Sequence, residues 1–220
     1  MGNIVDSMSF VEQIVGWSGY IALVSVFLVL PILVVFDDRK ILVPSLAIMY
    51  LMLSLLFINV LAPQIVGIKL VVYIIVWLMV FVSTQHSGWG FSKSTLGIKR
   101  LVIGAKFRFR IIAFIIVAIV GWQFANNGNI PFPVVSNSVT LVATQCVCQG
   151  LLLLSISRRP LKVGFGIFLM LNGFGLLYSV VESALMVVGM LALIDISIAL
   201  VICYLELLGE SYKLGDDLKT

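Results

Sequence analysis

Residues 185–207 read LMVVGMLALIDISIALVICYLEL, an apolar stretch broken near its centre by Asp195, whose nearest charged neighbours in sequence are Glu182 and Glu206. About 20 apolar residues suffice for a helix to cross the roughly 30 Å hydrocarbon core of a bilayer. Only helices and closed barrels satisfy their backbone there, and the in/out alternation of a barrel strand is missing. The stretch is therefore predicted to be a membrane helix. An ionisable side chain at the centre of such a helix costs about 3 kcal/mol on insertion-based scales, so it faces other helices or a hydrated path rather than lipid. Asp195 is the first candidate for function.

The rest of the chain repeats the pattern. Its 220 residues are 61% hydrophobic and 11% charged, with a mean hydropathy of +1.19, a composition that excludes a soluble domain of this length. Runs between polar breaks place spans near 14–36, 41–62, 64–84, 108–126, 134–156, 161–181 and 184–208. The fold class is an all-α integral membrane protein of about seven transmembrane helices. Residues 1–220 form one membrane domain, with four spans in 1–133 and three in 134–220. The first span is not expected to be a cleavable signal, because residues 1–13 carry Asp6 and Glu12 instead of a basic region.

Orientation follows from the basic residues. With the N-terminus outside, every Lys and Arg except Lys69 falls on the inner side, so the reading is N-out, C-in. The net charge of +4 then describes an inner collar suited to anionic headgroups or a cytoplasmic partner, and not a nucleic-acid site. Pro63 reads as the first helical residue of the third span, where its missing N–H costs nothing. Residues 126–137, NNGNIPFPVVSN, form an outer surface loop. Segment 86–110 is the longest inner connection. Within it STLGIKRLVIGAK, 94–106, suits a short interfacial helix that could contact a cytoplasmic arm. His86, with no second histidine in the chain, is expected to be a solvated loop residue. Cys146, Cys148 and Cys203 all fall inside spans and are expected to pack rather than bind metal or form disulfides.

No nucleotide cradle, zinc spacing or nucleophilic triad occurs in the sequence, so no catalytic residue, cofactor or metal is expected. The two GFG triplets, 164–166 and 173–175, lie inside the sixth span. Gly166, Met170 and Gly173 share one helical face, and Gly175 with Ser179 repeats small residues at four-residue spacing, the pattern by which membrane helices approach closely. The polar groups at depth are Asp195, Lys69 and Asn172, with Glu182 at an outer turn and Glu206 near an inner end. An acid–base string through them could relay protons or shift charge. Against that, Asp195 could be hydrogen-bonded glue between helices, and Lys69 could snorkel outward. Glu182 and Glu206 are expected to be solvated ends.

Residues 150–173, GLLLLSISRRPLKVGFGIFLMLNG, resemble component E of hydrogenase-4 and its short relative, the K subunit of respiratory complex I. The shared pattern is a helix, a basic turn (SRRP), then a helix with an F-G…L-M-x-N-G core. LIDISIALVIC, 193–203, looks like that family's last helix with Asp195 at the place of its acid, and LGDDLKT, 214–220, is similar to its ending. IKLVVYIIVWLMV, 68–80, resembles the family's third span, which carries a lysine where Lys69 stands. The resemblance implies a subunit that binds no cluster or nickel and sits among antiporter-like and redox-linked subunits of group 4 NiFe hydrogenases, formate hydrogenlyases and related assemblies. It also implies an acid on the sixth span, where this chain has Phe168 and Leu171, and a histidine soon after Asn172, where it has Gly175.

The resulting expectation is a non-redox subunit of a prokaryotic cytoplasmic membrane, not catalytic alone, that links partner subunits within the lipid bilayer. It presents Asp195, Lys69, Asn172 and Glu182 to a path for protons or other ions. The competing readings are a stand-alone transporter, which predicts internal repeats that the sequence does not show, and a purely structural anchor.

Overall fold

The computed structural model of the chain describes residues 24, 27–58, 61, 63–86, 105–127, 137–181 and 185–217. All regular structure among them is helical. A helical stretch at 27–35 (α1) is followed by α2 (Arg39–Ile58), α3 (Pro63–His86), α4 (Ala105–Asn127), α5 (Asn137–Ile156), α6 (Pro160–Val181) and α7 (Leu185–Asp217). The last six are each long and apolar enough to cross a membrane, and their bounds follow the runs read from the sequence. Of the first expected span, only 24 and 27–36 fall among the described residues. Residues 1–23, most of the 86–110 connection and 128–136, most of the loop expected at 126–137, fall outside them.

Local chemistry sets the helix ends. The Asp38 carbonyl accepts the Leu42 and Ile41 amides at 2.9 and 3.0 Å, opening α2 immediately after the turn. Pro63 and Pro160 are first helical residues, where the absent N–H leaves no bond unmade. Within the helices, hydroxyls that would otherwise face hydrocarbon bond back to their own carbonyls. Ser45 donates to Ile41, Thr84 to Val80 and Ser197 to Leu193, which satisfies them without a neighbour.

Helices α2, α3, α7 and α6 pack in a closed ring, α2 on α3, α3 on α7, α7 on α6 and α6 back on α2. Helix α5 lies against the far side of α6, and α4 leans on α5. The α5–α6 seam is built from small residues, as the spacing predicts. A Cβ on Gly166 would come within 3.0 Å of the Gly150 carbonyl oxygen, and one on Gly173 within 2.7 Å of that of Ala143. Backbones can approach that closely only where side chains are absent. Gly164 serves the opposite face of α6, where Ile202 of α7 fills the space a side chain would need.

Helix α4 is attached differently. Gln145 and Gln149 on α5, both fully buried, donate to the Ala118 and Phe114 carbonyls of α4 at 2.7 and 3.2 Å. Only 6% of the membrane-crossing window of α4 is buried, against 56% for α2, α5 and α6. Among the described crossing helices, α4 is the least buried.

Candidate functional site

The ring of α2, α3, α6 and α7 encloses a polar cluster. Asp195 comes from α7, Lys69 and Tyr73 from α3, Asn172 from α6 and Tyr50 from α2, and none is more than 5% exposed. Asn172 and Tyr73 are joined by a short hydrogen bond, the tyrosine hydroxyl donating to Oδ1. Asn172 Nδ2 donates in turn to the Phe168 carbonyl at 2.8 Å. Tyr73 stacks on Tyr50 with ring centroids 4.4 Å apart and planes within 4°, and Phe168 meets Tyr50 edge-on at 6.2 Å.

Lys69 does not snorkel. Its ammonium sits 3.5 Å from the centre of the Phe57 ring and 5.9 Å from that of Tyr73. A cation over an aromatic face gains roughly 0.5–2 kcal/mol, which offsets part of the cost of leaving water. Gly175 of α6 adjoins it, and a Cβ there would stand 3.3 Å from the Lys69 Nζ. Of the two readings of this side chain, the structure shows the inward one, with the ammonium over the rings of Phe57 and Tyr73.

Asp195 and Lys69 make no ion pair within 4.0 Å. Each nonetheless lies within the field of the other, and the charge of Asp195 reaches Tyr50 and Tyr73 as well. Asp195 Oδ1 and the Tyr50 hydroxyl are buried with no hydrogen-bond partner. Buried polar atoms normally find one. The four helices thus enclose one acid, one base and two phenols, with bonding capacity left over, on the inside of a membrane bundle.

Of the expected site residues, the structure brings Asp195, Lys69 and Asn172 into this cluster. Glu182 lies outside the described residues, as does the side chain of His86. Glu206 departs from the expected solvated end. It is 5% exposed and its carboxylate lies 2.6 Å from the Arg39 guanidinium, because α7 brings it against the start of α2. Phe168, at a place where the resemblance implies an acid, is fully buried against Tyr50. Tyr50 and Tyr73 escaped the sequence reading. Their signal is a phenol far from the interfaces where membrane tyrosines usually sit.

A second ionic cluster closes one end of the bundle. Asp37, in the turn between α1 and α2, receives Lys162 of α6 and Arg110 of α4, each at 2.6 Å. Lys162, only 3% exposed, also donates to the Val34 carbonyl at 3.2 Å. Arg110 reaches the Val35 carbonyl at 3.4 Å, and Arg159 the Asp37 carbonyl at 3.1 Å. The cations therefore cap the last carbonyls of α1, where the helix dipole favours positive charge. Part-burial raises the Asp37 carboxyl, but Lys162 and Arg110 outweigh it and hold the group below its ordinary 3.8.

A slot of about 280 Å³ lies between α2 and α3, lined by Tyr50, Leu51, Tyr73, Ile74 and Trp77 among others, with no polar surface. Cys146 is buried in the core, while Cys148 and Cys203 are half-buried, and all three are free thiols. No protein-family model, no curated protein and no solved structure matches the chain.

Proposed function

We propose that this chain is a non-redox subunit in the membrane arm of a complex I-like, proton- or ion-coupled oxidoreductase of the group 4 NiFe hydrogenase type. In this reading it sits in a prokaryotic cytoplasmic membrane with its N-terminus outside and C-terminus inside. It joins antiporter-like subunits to redox-linked ones and contributes buried charge to ion movement, while electrons pass through partners. The 86–110 connection faces the cytoplasmic arm.

The observation that carries the reading is the pair Lys69 and Asp195, each 5% exposed, on adjoining helices inside the bundle and not in contact. Opposite charges held apart in a medium of low dielectric attract strongly. A proton moving onto or off either one changes the field for the other and for the next charge along a membrane arm. A purely structural acid would be expected to close onto a donor, and Asp195 Oδ1 has none. The resemblance at 150–173 and 193–203 supplies the class of assembly. Phe168 in place of an acid leaves α6 with Asn172 as its polar contribution to the cluster. In this chain, therefore, charge exchange runs between α3 and α7.

Asp195→Asn in the native membrane complex tests this. The expected result is an assembled complex whose turnover continues while proton- or ion-coupling falls by tenfold or more. Unchanged coupling and assembly would overturn the proposal in favour of an anchor. Loss of assembly would show that Asp195 is polar glue. Mass identification of the proteins that co-purify is expected to return antiporter-like and NiFe-type subunits.

A further inference from the structure

We infer that the ionic cluster at the α1–α2 turn is a binding site for the phosphate of an anionic membrane lipid. Arg110, Lys162 and Arg159 converge on residues 34–37 from α4, α6 and the turn before α6. Arg158 adjoins them, and Asp37 and Asp38 are the acids of the same turn. Three cations thus converge on one carboxylate and the carbonyls beside it, a surplus of positive charge that Asp37 does not cancel. Lys162 is buried and bonded twice, to Asp37 and to the Val34 carbonyl. Arg159 is exposed and spends one N–H on a backbone carbonyl, and a guanidinium carries five. Its remaining donors are set in a planar fork that suits two phosphate oxygens.

Position selects a lipid over free phosphate. The cluster lies where α2 and α6 begin and α5 ends, which is the level of the headgroups for helices that cross a membrane. Helix α4, which supplies Arg110, carries Phe109, Ile112 and Ile116, each more than half exposed, on the face it turns to the hydrocarbon. The inference rests on the membrane-spanning character of the chain and not on the hydrogenase-type assembly, so either can fail without the other.

The test uses the full chain purified in mild detergent, with phosphatidylglycerol, phosphatidylcholine and inorganic phosphate as probes and native mass spectrometry as readout. Wild type is expected to retain phosphatidylglycerol at least tenfold over phosphatidylcholine, less so at high salt. The double variant R158Q/R159Q is expected to lose roughly fivefold per arginine removed. Arg159→Lys, which keeps the charge but not the fork, is expected to fall between them and guards against a folding defect. Equal retention of the two lipids, or variants that bind as wild type does, would overturn the site. Displacement of the lipid by millimolar inorganic phosphate would overturn the lipid assignment.

Discussion

At the scale of single residues, Asp37 is the carboxylate outside the spans that, among the described residues, gathers two cations. Asp37→Asn leaves the ammonium of Lys162 buried without its counter-ion, a change that is strongly destabilising at fully buried sites. Because Asp37 keeps 37% of its surface open, the expected loss is smaller, about 1–2 kcal/mol by thermal melting in detergent. The pH dependence follows from the lowered carboxyl. A group held lower in the folded state stabilises it above the unfolded value and loses that contribution as pH falls through the folded one. The wild-type melting temperature is therefore expected to hold down to about pH 4 and then decline, and Asp37→Asn to lack this part of the acid limb. The sequence showed DDRK only as a turn. That one of its aspartates would gather cations from α4 and α6 depends on which helices meet, and no local pattern encodes that. Lys69 was legible as a buried-position lysine, but its direction was not, because snorkelling is decided by what lies inward. Here that is the ring of Phe57.

Among elements, α6 is the hub, and its glycines divide the work by face. Gly173→Leu would drive a side chain into the Ala143 carbonyl, 2.7 Å from where its Cβ stands. Overpacking of this kind costs about 1–3 kcal/mol or more, and the expected result is a lowered melting temperature with α5 and α4 loosened together. Gly67→Leu on α3, where a Cβ meets nothing within 4 Å, is expected to melt within about 0.5 kcal/mol of wild type. Small-residue spacing at 166–173 marked α6 as a helix that another approaches closely, because a close backbone approach needs that pattern, but that the partner is α5 was not legible there. The glutamines that hold α4 to α5 were not readable in the same way. A Gln145 inside an apolar run looks alike whether it meets a neighbouring carbonyl or another protein.

For the whole molecule, seven spans were read from the sequence and six stand as crossing-length helices among the described residues, because apolar length alone specifies a crossing helix, whereas the ring order α2–α3–α7–α6 was not legible, since lipid-facing and helix-facing residues are equally apolar. Sidedness belongs to this scale. With native cysteines replaced, a cysteine at Gly128 is expected to react with a membrane-impermeant maleimide from outside intact cells, and one at Lys93 only after the cells are opened. The reverse pattern would invert the proposed N-out, C-in arrangement. Helix α7, finally, runs for 33 residues without a proline, about 50 Å at 1.5 Å per residue and well beyond a 30 Å hydrocarbon layer. A rod of that length acts as a lever. Asp195 lies ten residues from its first end, about 15 Å along the axis. A lean of about 10° pivoting at that end carries the carboxylate sideways by roughly 3 Å, one hydrogen-bond length. Whatever grips the protruding end of α7 thereby holds a handle on the acid.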